Sequence, residues 1–492
     1  MIITKRYWRM NFRCIIWAVF LISIVYNPIV GFGQQHQIVR LGDKREIFVD
    51  HYLIDKLTDV KMVMHTPRNE GAVLKFDSPW EGPFSGYTTI IKDGDILRAY
   101  YRGLPVPGDG SPMEVTCYAE SKDGVHWIKP DLGIYNVRGS LKNNVILADA
   151  APVTHNFCPF LDANPAAPKD QRYKALGGYH PGGLLPYVSA DGIHWKKLQD
   201  SAVLKAKSFA FDSQNVPFWS ESEQKYVCYF RTWTKDKFRS VSRSTSQDFI
   251  NWTTPVPMEF GDTPPEHLYT HQTSPYYRAP HIYVAIGARF MPDRQVVADK
   301  EAIKLNVNPS YYKDCSDAVL LSTRGGNEYS RTFMESFIRP GIGLENWVSR
   351  SNYPALNVVQ TSPVEMSVYV NENYAQHSAH LKRFSLRIDG FSSLSAPYNG
   401  GEMLTKPFVF SGKELEINYS TSAAGEIRIE IQDEKGKAIP GYTLKDAQII
   451  IGNEIKRIVS WNGNESVSKI AGKPVRLRIY MKDADLYSIK FN

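Results

Sequence analysis

The chain has 492 residues, 43% of them hydrophobic and 12% aromatic, with 34 Gly and 30 Pro scattered along it, enough for more than one domain and a large core. Its formal charge of +7 becomes +3 once Lys5, Arg6, Arg9 and Arg13 are set aside (7 minus 4), too mild a balance for the basic footprint of a nucleic-acid binder. No Gly-rich phosphate loop, HExxH helix or EF-hand loop is present, so those nucleotide and metal chemistries are set aside.

In chain order, the first object is a basic stretch, "MIITKRYWRMNFR", followed by an apolar run of about thirteen residues and small residues around Gly33. That is the pattern of a secretory signal peptide over residues 1–33. The apolar run is shorter than the ~20 residues a membrane anchor needs. The expectation is therefore a secreted or periplasmic protein with no stable membrane insertion after cleavage.

Next comes a repeat. "SKDGVHW" begins at Ser121, "SADGIHW" at Ser189 and the looser "SQDFINW" at Ser246, with degenerate versions "STRGGNEY" from Ser322 and "RIDGFSSL" from Arg387. Asp-Gly makes tight turns, because glycine tolerates positive φ and aspartate bonds its own backbone. A strand-like aromatic run precedes each phrase: "ILRAYYRG", "QRYKALGGY", "QKYVCYFR", "PHIYVAIGARF" and "EMSVYVN". Five such units, with no long segment of helical period between them, predict an all-β five-bladed β-propeller over residues 34–398. The phrase is read as the outer hairpin of each blade, its Trp or Tyr wedged against the next blade. Coincidental turns in a sandwich or barrel are the competing reading.

Beyond Asn399 the pattern changes to strict alternation, as in Glu426, Ile427, Arg428, Ile429, Glu430 and Ile431. An antiparallel sheet with one wet face needs that pattern, and residues 399–492 read as a C-terminal β-sandwich. Four cysteines follow the leader, Cys117, Cys158, Cys228 and Cys315, widely spaced in apolar surroundings. Buried thiols are expected of them, no zinc spacing is present, and no cofactor or metal is expected.

In a propeller the innermost strands line a shared axial pocket, so side chains at the blade entrances converge from distant sequence positions. The entrances supply Glu81, His155, Asp212, Asn215, Glu266, His271, Arg278, Trp347 and Arg350. Here the residues carry a resemblance. "GYTTIIKDGDILRAYYR" resembles the first blade of the family 32 glycoside hydrolases, and "FDSQNVPFWSESEQKYVCYF" resembles that family's Arg-Asp-Pro blade; the propeller alone is similar to family 43. The resemblance implies a glycoside hydrolase, with Asp212 as the acid that orients the sugar and stabilises the transition state. Ser85 stands where the family places its nucleophile, Glu81 being the nearest acid, and Asp212 sits in Phe-Asp-Ser rather than Arg-Asp-Pro.

Cleaving a glycosidic bond needs one carboxylic acid and one carboxylate, about 5 to 9.5 Å apart. Asp212, Glu266 and Glu81 are the expected catalytic acids, with Asp212 and Glu266 pointing into one pocket. Asn215, His155, His271, Arg278, Trp347 and Arg350 are the expected substrate contacts. Arginine forks at Arg278, Arg289, Arg294 and Arg350 suit the carboxylate or sulfate of an anionic glycan. The function expected is an exported glycoside hydrolase whose partner is a carbohydrate, neither nucleic acid nor membrane. A noncatalytic carbohydrate-binding propeller and a polysaccharide lyase-type enzyme stand as alternatives, because a fold does not fix an activity.

Overall fold

A computed structural model describes residues 38–492; the expected signal segment, residues 1–33, lies outside the described residues. Among these no helix is long and apolar enough to cross a membrane.

Five consecutive antiparallel sheets form the five-bladed propeller. The first blade runs Gly86–Asp93, Ile96–Gly103, Val115–Ser121 and Val145–Leu147, and the second Cys158–Leu161, Tyr173–Gly177, Leu185–Ser189 and Lys196–Lys197. The third runs Val216–Ser220, Lys225–Trp233, Arg239–Ser246 and Val256–Pro257. The fourth has a split inner edge, Leu268–Thr270 and Thr273–Tyr276, followed by Ala279–Met291 and Cys315–Thr323. The fifth sets Tyr353–Pro354 and Val359–Gln360 against Glu365–Glu372 and then His380–Arg387. Its outermost strand, Arg68–Lys75, comes from before the first blade and closes the ring. The aromatic runs are the second strands, covered on both faces by neighbouring blades, which is why they read as apolar runs rather than alternating ones.

The repeated phrase is the turn that leaves each third strand. Ser121 Oγ accepts from the Gly124 amide at 2.9 Å, and Asp123 Oδ1 accepts from the amides of Val125 and His126, each at 2.8 Å. The Trp127 indole then donates to the Gly124 carbonyl at 3.2 Å. The same set recurs at Ser189, Asp191 and Trp195, and the aspartate and tryptophan bonds recur at Asp248 and Trp252, where Phe249 at φ 67° takes the glycine position. The tryptophans dock on the preceding blade rather than the next one. Trp127 meets Tyr369 of the fifth blade edge-on at 5.8 Å, and Trp195 meets Tyr100 of the first at 6.4 Å.

Gly124 has φ 76°, and a Cβ there would lie 2.4 Å from the Tyr369 hydroxyl and 2.8 Å from Thr361. Gly124→Ala is therefore expected to cost about 2–3 kcal/mol through left-handed backbone strain and overpacking combined. A thermal melt within a degree of wild type would refute this account of the turn.

The first four strands, Val39–Gly42, Glu46–Ile47, Ile54–Thr58 and Lys61–Met64, belong to no blade. They join Ser392–Ala396, Gly401–Thr405, Phe408–Phe410, Leu415–Asp433, Asn453–Ile458 and Val475–Phe491 in one ten-stranded sheet. The boundaries expected from sequence, a propeller from 34 and a separate C-terminal module from 399, shift accordingly. The C-terminal strands cannot bury their apolar faces alone: Val39, Leu41, Phe48 and Leu53 pack into the same core as Ile427, Ile429 and Ile431. The alternation read at 426–431 holds, with these three isoleucines fully buried.

Buried polar side chains tie the blades together at the axis. Asn156 Nδ2 donates to the carbonyls of Gly178, Phe211 and Ser213, while Gln214 links Thr89 and Gln272, each at 2.6 Å. The four described cysteines are buried free thiols.

Candidate active site at the propeller axis

In each antiparallel blade, the loop before the first strand and the loop joining the second strand to the third lie at the same end. At that end of the axis the chain gathers a charged cluster. The loop between the second and third strands of the first blade brings Asp109 and Glu114. Arg102 and Arg231 end the second strands of blades one and three, and His155 and Asp212 precede blades two and three. Arg350 enters from blade five with φ 59°.

His155 is the centre. Its Nδ1 stands 2.9 Å from Glu114 Oε1 and 3.1 Å from Arg102 Nη1, and its Nε2 lies 3.6 Å from Asp212 Oδ1. Asp212 Oδ2 accepts from Arg231 Nη2 at 2.5 Å. Asp109 takes looser pairs, 3.7 Å from Arg102 and 3.5 Å from Arg350. Burial separates the roles: Glu114 and His155 are sealed, whereas the Asp212 and Asp109 side chains keep 27% and 37% of their exposure. Tyrosines wall the cluster. Tyr87 and Tyr179 meet the His155 ring edge-on at 5.5 and 5.6 Å, Arg231 lies over Tyr269 at 4.5 Å, and Arg350 lies over Tyr311 at 5.1 Å.

The electrostatics follow from these contacts. Burial works to raise the Asp212 carboxyl, but the neighbouring His155 ring and the Arg231 charge outweigh it and set it at about 2. Asp109 is likewise held below the usual carboxylate range, against its burial, by Arg102 and Arg350. For His155, burial favours the neutral ring, yet the nearby Asp212 carboxylate and the bond to Glu114 prevail and raise its pKa. At neutral pH both exposed carboxylates are ionised, and the imidazole is biased toward its protonated form.

Asp109, Glu114 and His155 bring ligand atoms within 4.8 Å of one another, the spacing of a cation site. The Arg102 guanidinium sits against all three, at 3.1 Å from His155 Nδ1, 3.7 Å from Asp109 and 3.8 Å from Glu114. It supplies the positive charge that a metal would bring, and the residues therefore fit an ion pair network better than a metal.

Of the residues expected from sequence, Asp212, His155 and Arg350 meet here. Glu266 does not. It accepts from Arg289 at 2.9 Å and from Arg331 at 3.0 Å in a separate cleft, and although burial raises its carboxyl, these two bonds hold it below the usual range. A glutamate so tied is a poor proton donor, and no contact joins it to Asp212. Glu81 is fully buried and accepts from Tyr101 and Lys129, each at 2.6 Å, bracing the first blade. His271 is sealed in the core beside Thr273, and burial pushes it down to about 3. Asn215 donates to the Phe211 carbonyl at 3.2 Å, a structural bond. Arg278 pairs with Asp389 at 2.8 Å, away from the axis. Trp347 lines the cleft that holds Glu266.

Sequence reading missed Arg102, Asp109, Glu114 and Arg231. A signal for the arginines existed, since "YYRG", "YFRT" and "GARF" place Arg102, Arg231 and Arg289 near the ends of three second strands. Asp109 and Glu114 lie in "GDGSPME", a loop of turn-forming residues, and nothing in such a string marks an acid as axial.

No protein-family model matches the chain, and no curated protein matches it in sequence. Solved structures similar in fold include a family 32 β-fructofuranosidase of Bombyx mori, at 10% identity and TM-score 0.41 over 85% of this chain and 94% of that one. A family 93 α-L-arabinofuranosidase of Fusarium graminearum is 12% identical at TM-score 0.40, over 65% of this chain and 98% of that one. An N-acetylgalactosamine deacetylase from F. plautii is 12% identical at TM-score 0.43, over 68% and 97%.

Proposed function

We propose that this protein is an exported glycoside hydrolase acting on a polysaccharide or oligosaccharide at the axial cluster. One observation carries the reading: Asp109 and Asp212, brought from different blades, lie around one imidazole in a tyrosine-walled cluster, and these two acids keep partial exposure while the groups behind them are sealed. Such a pair has the composition that glycosidic cleavage needs, two carboxylates separated on the order of 5–9.5 Å across the scissile bond. Tyrosine rings suit the apolar faces of sugars and offer hydroxyls to their edges.

In this reading Asp212, held ionised by Arg231 and His155, faces the anomeric carbon and stabilises the positive charge that develops there. Asp109 is the acid/base partner. Its arginine contacts are the looser ones, and a sugar ring that covers it adds desolvation, which drives a carboxylate toward proton uptake. Glu114 and His155 act behind Asp212, orienting it without touching substrate. Export rests on the amino-terminal sequence pattern alone.

The test is release of reducing ends from a panel of plant and algal oligosaccharides by the mature protein. Cleavage of any member that depends on Asp212 supports the reading; binding without cleavage across the panel would favour a carbohydrate-binding propeller instead. Turnover is expected to decline on the alkaline side as His155, raised above the ordinary histidine value of about 6.5, gives up its proton and leaves Asp212 without that donor. Asp212 itself keeps its charge down to about pH 2, so it sets no acid limb near neutrality. His155→Gln should change the alkaline decline, leaving only the part that Asp109 sets as it loses its proton; an unchanged profile would remove His155 from the mechanism.

A further inference from the structure

A second cleft, of about 680 Å³, opens on the same end of the propeller. It is built from Glu266 and His267 before the fourth blade, Pro292 and Arg294 after that blade's second strand, Arg339, and Trp347 of the turn Leu344–Trp347. By the rule that these loops share one end, it lies on the face that carries the axial cluster. A single aromatic step joins the two. Phe290 lines the cleft and packs on Tyr269 at 5.7 Å, and Tyr269 lies under Arg231 at 4.5 Å and under Arg350 at 5.5 Å.

Three arginines and three acids line this cleft, Arg289, Arg294 and Arg339 with Glu266, Asp317 and Glu335, but they are unevenly paired. Glu266 and Asp317 are both consumed by Arg289, at 2.9 Å and at 2.6 Å, with Arg331 adding a second bond to Glu266. Arg294 and Arg339 are exposed and have neither ion pair nor hydrogen bond among the described residues. Between cleft and axis, Arg239 lies over Phe290 at 4.5 Å, over Trp233 at 4.6 Å and over Tyr269 at 5.4 Å; among the described residues it makes no ion pair, and its Nε is buried without a hydrogen bond. Against these three guanidinium groups stand Glu335 on the outer wall and, behind the cleft, Asp314, whose carboxyl feels the Arg239 and Arg350 charges without an ion pair to either. Arg239 is half-buried, so solvent screens it less than the exposed pair.

We infer that this cleft is a flanking subsite that takes an anionic sugar unit, a uronate or a sulfate ester, of the glycan whose neighbouring residue occupies the axial cluster. Arg294 and Arg339 engage the carboxylate or sulfate oxygens as forks, Arg239 supplies a fixed positive field, and Trp347 offers a ring for the sugar face. The inference rests on the axial cluster being the sugar-processing site, and it names the substrate class for that site. It also reassigns the arginines expected from sequence: Arg278 and Arg289 are internal ion pairs, while Arg294 remains free for a ligand.

The test is calorimetric binding to Asp212→Asn, in which turnover is suppressed. The probes are a trimeric oligogalacturonate and its fully methyl-esterified counterpart, together with a κ-carrageenan tetrasaccharide and its desulfated form. A charged member of either pair should bind tighter than its neutral partner, the advantage shrinking with added salt. Arg294→Ala and Arg339→Ala should each weaken charged ligands about two- to fivefold, as exposed charge pairs do, and leave neutral ones unchanged. Whichever charged probe responds identifies the group as carboxylate or sulfate. Equal affinity for charged and neutral members in both pairs, or arginine variants without effect, overturns the proposal. Arginine-dependent binding with no cleavage by wild type leaves the subsite standing and removes the hydrolase; cleavage indifferent to Arg294 and Arg339 does the reverse.

Discussion

Asp212→Asn is expected to lower kcat by about 10²–10⁴-fold on any oligosaccharide the protein cleaves, the scale of losing a group that acts directly on the reacting atoms. The substitution keeps the size of the side chain and removes only the charge that Arg231 and His155 hold in place. Asp109→Asn should fall in the same range. The double variant should be little worse than either single one, because the two carboxylates serve one transition state. Glu266→Gln, whose carboxylate is spent on Arg289 and Arg331, should by contrast lose stability through an unpaired guanidinium while keeping most of its turnover. Measured kcat values for the three variants, each checked for native melting, decide the matter. A full-rate Asp212→Asn with an inactive Glu266→Gln would move the active site to the second cleft.

The largest expected loss of stability comes from another aspartate. The Asp389 side chain is fully buried where the fourth blade, the amino-terminal strands and the C-terminal sheet meet. It accepts from the Tyr276 hydroxyl at 2.7 Å, Arg278 at 2.8 Å, the Ser488 hydroxyl at 2.7 Å and Asn418 at 3.2 Å, with Arg45 at 3.6 Å. Removing one partner from a buried ion pair leaves the other charge without compensation, so Asp389→Ala is expected to cost about 3–5 kcal/mol. Asp123→Ala offers the comparison. That carboxylate is half exposed and caps the two amides of its own turn, a contribution of about 1 kcal/mol. Denaturation midpoints of the two variants should therefore differ clearly, and equal midpoints would sink this account of the seam.

Asp123 and Asp389 occupy the same letter of the repeated phrase, which shows how far the sequence could be read. Local chemistry is the same wherever Ser, Asp, Gly and Trp recur at fixed offsets, because turn bonds are made within a few residues. The blade count followed from that recurrence. So did the buried second strands, since a strand covered on both faces must be apolar throughout. In the fifth unit the local bond set is absent, and the aspartate is free for partners drawn from positions 45, 276, 278, 418 and 488, separations that no local pattern encodes.

The axial cluster divides along the same line. Asp212 and His155 sit at blade entrances, where the repeat register says that a side chain faces the axis, and both were legible. Glu266 sits at an entrance as well, yet Arg289 and Arg331 turn it aside, and that capture depends on where two distant strands end. Asp109 and Glu114 ride a loop whose path is decided by packing, with the Gly110 amide donating to Glu114 Oε1 at 3.0 Å and His155 meeting it from the next blade. By itself the sequence determined the repeat, the turns, the alternating C-terminal strands and three members of the axial cluster, Asp212, His155 and Arg350, because each depends on a local pattern of strand, turn or blade entrance. Only the tertiary structure decided that residues 39–64 complete the C-terminal sheet, that residues 68–75 close the ring, and which charges are left unpaired, because each is settled by contacts between segments hundreds of residues apart.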